Sequence, residues 1–546
     1  MTDQNDNEVL LLDASLDNFT TKARKSSSLL LPLFFLAFLS SILTVVGSGD
    51  WFFSVPVSNY AAIILTLLLL IELIMSYSVW KEAIAQLISG QFTYEIIVLL
   101  CSLVTILDAF MNAGDHIPFC SVPAFAIWVV VCGVYQKNEA QRQLLKTLIS
   151  EDTKYAFMVS PNAWNNLNCQ FIAPVKSEYI LDATLRPDYT QRILHYYVLI
   201  SSVLAILSAL LISLKLETSY IKNLSILLSA MLPIAVSLSF SRPYYRLMRK
   251  LKKEKQAICG WYGADALNNI DAILIADEDI AVPNSVTHSG IKTFHGYDPK
   301  LVISYAATIF RNEKSFMLKI LDELLDQVHG RYLSCNDYRV YEGGGLGAEI
   351  NGDIVLTGSL KFMRLMGVDI PTGTLVKSAV YISVNNELAA VIAVHFKAEK
   401  EVGQALKTLL AMKRCKTILA SKNFLITPAL IKNLYHINID RLLYPSLQNR
   451  ILISEIPTKS TPIPGAIMKC ADLSTITKIL RGGQQLYSSA KYNLWFCLLG
   501  GMIGFILMFY LLICNASASS NPCNLLLYSL CWLFPPLVLS TWIGHI

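Results

Sequence analysis

Eight apolar segments, each close to the length that crosses a lipid bilayer, constrain the fold of this chain more than any other feature. A membrane-spanning helix needs about 20 mainly apolar residues, because its backbone polar groups must be satisfied internally. With 54% hydrophobic and only 16% charged residues, the chain is too apolar for an ordinary soluble protein. We therefore predict a multi-span α-helical membrane protein with about eight transmembrane helices. They lie at about 29–47, 59–79, 94–113, 118–135, 193–214, 220–241, 493–514 and 523–544.

The basic residues predict the orientation of these helices. They precede the first apolar segment and follow the second, fourth and sixth, and the densest cluster runs from Arg242 to Lys255. The loops on the opposite side of the membrane contain no basic residues except Lys215 and Lys222. Because positively charged loops stay in the cytosol, we expect both termini and the soluble region there, in a bacterial cell membrane. The net charge of +5 reflects these anchors and not a nucleic-acid surface.

The 12 cysteines include no Cys-x-x-Cys pair, so the sequence predicts neither a zinc site nor a disulfide framework. Cys514 and Cys523 flank one loop and could either pair or remain separate thiols.

Residues 256–480 predict a soluble α/β region. The run Ile270–Ile275 is short and mostly apolar, and the acidic residues 277–279 follow it, which is typical of a buried strand that ends in a polar loop. Alternating strand and helix patterns predict a parallel α/β domain, and the segment 290–375 predicts an inserted α+β domain. The further patterns are strands at Ala379–Val384, Leu388–Val394 and Thr417–Leu419 and a helix at Lys397–Met412.

The whole layout resembles that of the heavy-metal, class IB, P-type ATPases. The predicted spans are arranged as four, a cytosolic insert, two, a large soluble region and two. The segment 81–104, KEAIAQLISGQFTYEIIVLLCSLV, resembles the family's amphipathic platform segment and the helix that follows it. The family has a pair of glycines there, of which this chain keeps only Gly90. Ile270–Ile275 resembles the strand that delivers the phosphorylated aspartate. The resemblance covers most of residues 60–515.

This resemblance implies a cytosolic haloacid-dehalogenase-like α/β domain that carries an inserted nucleotide-binding-like domain. The implied units are a polar, weakly ordered tail at 1–27, four membrane helices with the platform at 80–91 within 28–135, a reduced actuator-like insert at 136–190, two membrane helices at 191–245, the phosphorylation-domain-like part at 256–289 and 376–480, the nucleotide-binding-domain-like insert at 290–375, and two membrane helices at 485–546.

Glycines in the predicted insert resemble those of the family's adenine pocket. Gly343 and Gly345 match a Gly-x-Gly pattern, Gly358 matches a later glycine, and Glu313 matches one residue of the preceding motif. Glycines let a backbone approach a nucleotide closely, so the resemblance implies that ATP could bind here, without magnesium. In the alternative interpretation the glycines only serve turns of the fold, including the hairpin turn predicted at Asn351-Gly352.

The positions that carry phosphoryl transfer in this family differ here. Ala276 stands where the aspartate belongs, and a shift of one residue would offer Asp277 instead. A Thr-Gly-Asp motif is replaced by Ala420, Ser421 and Lys422, with Asn423 retained, and the family's lysine falls near Gln448. The acidic residues 277–279 could hold a cation or could be a solvated loop. The resemblance thus implies a degenerate member without intact catalytic residues.

The transport site of the family is also altered. Pro233 can kink the sixth span, but Leu232 and Ile234 replace the cysteines of the family's Cys-Pro-Cys motif. Met231 could act as a soft metal ligand or could simply pack. Intramembrane Glu72 and Asp108 are candidate functional residues because carboxylates are costly inside a bilayer. Glu72 could face a polar group of a partner helix or a transport path.

These observations lead to two hypotheses. In the first, the chain is a catalytically inactive, pseudo-ATPase membrane protein that regulates, senses or assembles with another membrane protein, with the lipid bilayer as its main partner. In the second, it is an active heavy-metal cation transporter whose motifs have diverged. No cofactor is certain from the sequence, and no nucleic acid is expected as a partner.

Overall fold

The computed structural model describes residues 2–48, 57–112, 116–150, 155–313, 316–371, 378–454, 462–516 and 519–541. It combines long apolar helices with a soluble part built on two β-sheets. Lys314 and Ser315, which follow Glu313, and the end of the last predicted span lie outside the described residues.

The first half of the chain is mostly helical. Its elements are α1 (Thr2–Ser48), α2 (Val57–Met75), α3 (Tyr77–Ile88), α4 (Tyr94–Met111), α5 (Ser121–Ile149), β1 (Tyr155–Trp164), β2 (Leu167–Pro174), α6 (Ser177–Leu185), α7 (Tyr189–Leu216), α8 (Tyr220–Met231), a 3₁₀ turn (Ile234–Ser237) and α9 (Leu238–Leu251).

The second half contains most strands and two closing helices. Its elements are β3 (Ala257–Ile258), α10 (Gly260–Asn268), β4 (Ala272–Ile275), α11 (Asp277–Ile280), β5 (Val286–Thr293), α12 (Pro299–Glu313), α13 (Leu318–Gln327), β6 (Cys335–Tyr341), β7 (Gly345–Ile350), β8 (Asp353–Gly358), α14 (Leu360–Leu365), β9 (Ala379–Val384), β10 (Glu387–Phe396), α15 (Lys400–Ala411), β11 (Lys416–Leu419), α16 (Pro428–Tyr435), β12 (Leu442–Leu443), α17 (Leu447–Ser454), β13 (Ile463–Met468), α18 (Leu473–Ile513) and α19 (Pro522–Leu539).

Within the described residues, five helices are long and apolar enough to cross a membrane, or seven when each of two bent pairs counts as one span. The bent pairs are α2 with α3, at 71°, and α8 with the segment after Pro233, at 45°. The remaining predicted span, 118–135, lies in the first half of the 29-residue helix α5 and does not belong to this set. The number of eight spans therefore stays a prediction.

The N-terminal segment differs from the prediction of a weakly ordered tail. α1 runs from Thr2 to Ser48 without a break. Leu12 and Phe19 are buried in the core of the soluble part, which also contains Leu144 and Leu148 of α5. The tail is helical because apolar residues recur at helical spacing among its polar ones, so that one face packs against α5.

The first sheet has seven strands in the order β12-β11-β4-β2-β1-β13-β3. β12, β11 and β4 run parallel, as predicted for an α/β domain. The hairpin β1–β2, which comes from the segment 136–190, lies inside this sheet between β4 and β13. The strands of the predicted actuator-like insert at 136–190 therefore belong to the same sheet as strands of the predicted phosphorylation-domain-like part.

A side chain joins the hairpin to β4. The two strands form only one ladder pair, Cys169 with Ala272. Beyond it, the buried Gln170 side chain takes over the role of the backbone ladder, because its amide bonds both polar groups of Leu274. Leu274 N donates to Gln170 Oε1 at 2.6 Å, and Gln170 Nε2 donates to Leu274 O at 2.7 Å. The sheet stays continuous where β2 and β4 diverge.

The second sheet is antiparallel, in the order β5-β10-β9-β8-β7-β6. It corrects the prediction that Ala379–Val384 and Leu388–Val394 belong to the parallel domain, since β9 and β10 pair antiparallel. The two-residue turn Asn385-Asn386 has positive φ angles of 48° and 70°, which suits a hairpin. The strands misled the sequence analysis because both faces are buried, so their residues read as the continuous apolar runs of parallel strands.

Leu267 of α10 joins the first sheet to the 41-residue helix α18. Its side chain is fully buried, and two glycines make room around it. A methyl group at Gly483 of α18 would lie 2.4 Å from Leu267 Cδ1, and one at Gly465 of β13 would lie 3.2 Å from Leu267 Cγ. A methyl group at Gly263 would lie 2.3 Å from the Gly465 carbonyl oxygen. α10 and β13 are thus packed backbone to backbone, and the backbone of α18 packs against the Leu267 side chain.

The Gln170 bridge makes a testable prediction for stability. Gln170→Leu keeps the volume but leaves the buried N–H and C=O of Leu274 without partners, at a cost of about 1–3 kcal/mol. We expect a lower thermal melting temperature for the purified full-length protein. Gln404→Leu, at an exposed position of α15, is the matched control. Equal melting temperatures for the two variants would show that the bridge does not stabilise the sheet.

Candidate functional site

The carboxyl ends of β4 and β11 meet at one edge of the first sheet. Ile275 is paired with Leu419, and Ala420 N donates to Ile275 O at 2.8 Å. Since β4 and β11 are parallel, the residues after both strands come together, as such residues do in α/β sites. The structure therefore brings together the sequence candidates Ala276, Asp277, Ala420, Ser421 and Lys422.

Asp277 is bound by the loop that follows β11. Its Oδ2 accepts hydrogen bonds from the backbone N–H groups of Lys422 and Asn423, both at 3.3 Å. Its Oδ1 is buried and has no hydrogen-bond partner among the described residues. Burial raises the pKa of Asp277, although hydrogen bonds from this loop oppose the rise. The one-residue shift considered from the sequence thus does place a carboxylate at this edge.

Arg450 is a residue of this edge that the sequence analysis missed. Its guanidinium is buried, donates to the Ser421 carbonyl and to the Tyr444 hydroxyl, and lies 4.2 Å from the Tyr444 ring centroid. The family resemblance pointed to a lysine near Gln448, whereas the cation here comes two residues later. In the sequence Arg450 follows Gln448-Asn449 and precedes an apolar run, a pattern that reveals neither its burial nor its partners.

The acidic residues after β4 do not converge. Asp279 Oδ2 accepts from Ala276 N at 2.8 Å and so caps α11, while Glu278 is exposed. Burial, with neighbouring carboxylates, raises the pKa of Asp279 from 3.8 to about 7. Among the described residues, no group of three His, Cys, Asp or Glu side chains could hold a metal ion. The cation site considered for these residues is not assembled.

The predicted nucleotide glycines surround a side chain of the protein itself. A methyl group at Gly345 would lie 2.1 Å from Phe362 Cδ1, and one at Gly358 would lie 2.4 Å from the same atom. At Gly343 the nearest Phe362 atom would be an ordinary 3.4 Å away. Phe362 is buried, so its ring fills the space that these glycines leave. The absence of side chains at Gly345 and Gly358 thus makes room for Phe362. This favours the interpretation in which these glycines serve the turns and packing of the fold.

Elements attached to the two sheets touch each other beside Asp277. Leu447 N donates to Glu342 Oε1 at 2.8 Å, and Asn423 Nδ2 donates to Glu313 Oε2 at 3.5 Å. A methyl group at Gly344 would lie 3.3 Å from Phe424 Cβ, so the glycine turn lies against the loop after β11. Glu313 therefore joins the edge through Asn423, and the cleft between the sheets is closed at this point.

The helix break at Pro233 is present, as predicted, but it is tightly packed. The freed Met231 carbonyl accepts the Tyr197 hydroxyl at 2.6 Å, and a methyl group at Gly501 would lie 2.7 Å from that carbonyl oxygen. The cavity beside Pro233 is only about 10 Å³, about the size of one water. Cys497, which the sequence analysis missed, lines this cavity and is buried.

The remaining sequence candidates are placed as follows. Met231 is buried in the helix bundle, and Glu72 is fully buried on α2. Asp108 is fully buried near the end of α4 and contacts His116. Cys514 and Cys523 are both free thiols.

No family model and no curated protein matches the sequence. Solved structures similar to the chain include a zinc-transporting PIB-type ATPase in its E2.Pi state, with 11% identity, a TM-score of 0.49 and coverage of 95% of this chain and 99% of that one. The N-domain of a copper-transporting P-type ATPase has 22% identity, a TM-score of 0.19 and coverage of 20% and 100%. The catalytic domain of the CPx-ATPase CopB-B has 14% identity, a TM-score of 0.25 and coverage of 37% and 70%.

The contact of the glycines with Phe362 can be tested with two matched variants. Gly345→Ala forces a methyl group against the Phe362 ring, and such overpacking costs about 1–3 kcal/mol. Gly343→Ala meets only ordinary contacts and is the control. We expect a lower melting temperature for Gly345→Ala, partly restored by the added substitution Phe362→Leu. A loss of equal size in both glycine variants would contradict this assignment.

The raised pKa of Asp279 predicts a pH dependence of stability. The folded state binds this proton more tightly than the unfolded state, so stability falls as pH rises from about 4 to about 7. Asp279→Asn removes this loss and keeps an oxygen that can accept from Ala276 N. We therefore expect Asp279→Asn to raise the melting temperature more at pH 8 than at pH 5. Glu278→Gln is the exposed control, and a pH-independent gain for Asp279→Asn would argue against the assignment.

Proposed function

We propose that this chain is a membrane protein with a P-type ATPase-like architecture that does not hydrolyse ATP. In this proposal it acts as a regulator, sensor or subunit of another membrane protein, and its soluble sheets serve as a structural unit.

The observation that carries the proposal is the closed contact between the two sheets. Phosphoryl transfer needs a nucleotide held between a binding domain and an attacking carboxylate. Here the Gly343–Gly345 turn lies against Phe424, and Glu342 binds the start of α17. The space between the turn and Asp277 is therefore occupied by the protein's own groups.

The chemistry of the edge also supports the proposal. A carboxylate nucleophile needs a magnesium site and a cation that neutralises the charge developing on the transferred group. Oδ2 of Asp277 is already bound to two backbone amides, and the Arg450 guanidinium is already bound to the Ser421 carbonyl and Tyr444. These groups stabilise the loop after β11 with hydrogen bonds that an attacking or charge-stabilising group would have to give up.

One observation favours the second hypothesis, an active heavy-metal cation transporter with divergent motifs. Asp277 Oδ1 has no hydrogen-bond partner among the described residues, and it lies at the edge where a nucleophile would be needed. If the sheets separate during a transport cycle, this oxygen would be the reacting atom.

Phosphorylation of the purified full-length protein distinguishes the two hypotheses. We expect no acid-stable, hydroxylamine-sensitive label from radiolabelled ATP with magnesium, and no vanadate-sensitive release of phosphate. The assay is run with zinc and with copper, since either metal could be the cargo of an active transporter.

A label that appears in the natural protein, persists in Glu278→Gln and is lost in Asp277→Asn would overturn the proposal. Such a result would identify Asp277 as the nucleophile and the chain as an active transporter.

A further inference from the structure

Glu72 is buried in the apolar helix bundle without a partner. Its side chain has no exposed surface, and neither Oε1 nor Oε2 has a hydrogen-bond partner among the described residues. It lies on the face of α2 that also carries the fully buried Leu65 and Leu69. An ionised carboxylate is costly in such surroundings, whereas the neutral acid, which carries a proton, is tolerated.

Among the described residues, no basic side chain forms a hydrogen bond or ion pair with Glu72. α1, α4 and α5 pack against α2. Between Ser26 and Ser48, α1 contains no titratable residue, and the basic residues nearest in sequence, Lys25 and Lys81, are exposed at the end near the sheets. The titratable groups of the described residues of α4, α5 and their connection are Tyr94, Glu95, Cys101, Asp108, His116, Cys120, Cys132, Tyr135, Lys137, Glu139, Arg142 and Lys146, and α3 adds Tyr77, Lys81 and Glu82, the last paired with Lys22.

A second buried carboxylate connects the bundle to solvent. Asp108 is fully buried, and its two oxygens accept from Asn112 Nδ2 at 2.7 Å and contact His116 Nε2 at 3.0 Å. His116 is 14% exposed and lines a cavity of about 390 Å³ at the end of the bundle away from the sheets. Ser48 and Asn515 also line this cavity, where α1 and α18 end. Histidine is a common proton-shuttle residue in proteins.

Cys120 is a fully buried thiol that interacts electrostatically with both Asp108 and Glu72. Thr66, a buried residue on the same helix as Glu72, donates its hydroxyl to the Ala62 carbonyl at 2.8 Å. Thiol and hydroxyl groups both donate and accept hydrogen bonds, so the bundle holds, besides the two carboxylates, further groups that can carry a proton.

We propose that Glu72 is a proton-binding site of the membrane domain, filled from the cavity through His116 and Asp108. A proton from water in the cavity is taken up at His116 and reaches the Glu72 carboxylate, which becomes a neutral acid. Release is the reverse, and no other bond changes. The proposal does not depend on whether the chain hydrolyses ATP.

Infrared spectroscopy of the full-length protein in lipid nanodiscs tests the site. At about pH 8, far above the ordinary glutamate pKa of about 4.3, exposed carboxyl groups are ionised. We expect a carbonyl band of a neutral carboxylic acid that is lost in Glu72→Gln and kept in Glu82→Gln, the exposed control. Absence of the band at this pH, or its persistence in Glu72→Gln, would overturn the proposal.

The route is tested by transfer of the same sample into D₂O, which shifts the acid band as the proton exchanges. We expect His116→Ala and Asp108→Asn to slow this shift on the order of tenfold, as the loss of a positioned proton-transfer group does. Asn515→Ala changes the cavity without removing a titratable group and is the control. An unchanged exchange rate in His116→Ala would exclude filling through the cavity, and if Asp108→Asn does not fold, His116→Ala decides alone.

Discussion

The packing of Leu267 against glycines is the contact on which the arrangement of the molecule depends. Gly263 lets the backbones of α10 and β13 approach closely, and Gly465 and Gly483 leave room for the Leu267 side chain between β13 and α18. α18 then continues for 41 residues from the sheet through the bundle. Gly483 of this helix packs against Leu267 of the soluble part, and Gly501 packs against the Met231 carbonyl at the Pro233 break, so one helix contacts both regions.

The sequence allowed the features that depend on local chemistry to be predicted. Pro233 breaks its helix, Asn351-Gly352 makes a hairpin turn, and β4 and β11 run parallel in one sheet, as the alternating strand and helix patterns predict. The antiparallel pairing of β9 with β10 was missed because burial of both faces removes the alternation that distinguishes the two kinds of sheet.

The site was predicted less completely, because its contacts join distant parts of the chain. The resemblance led to Ala276, Asp277 and the loop after β11, which do meet. It could not show that Phe362 fills the space between Gly345 and Gly358, since a glycine pattern does not reveal what approaches it. Arg450 was missed because the sequence gives no sign that a residue 29 positions after Ser421 binds its carbonyl.

The hairpin β1–β2 has a consequence for how the chain is made. Its partners β4 and β13 follow it by about 100 and 300 residues, as the pairs Cys169–Ala272 and Tyr155–Met468 show. During synthesis the hairpin therefore emerges between two groups of membrane helices and waits with both edges unpaired until the second half of the chain has been translated. Such long-range pairing is slow and leaves strand edges exposed to incorrect pairing. The first sheet therefore stays prone to aggregation until β13 has been translated.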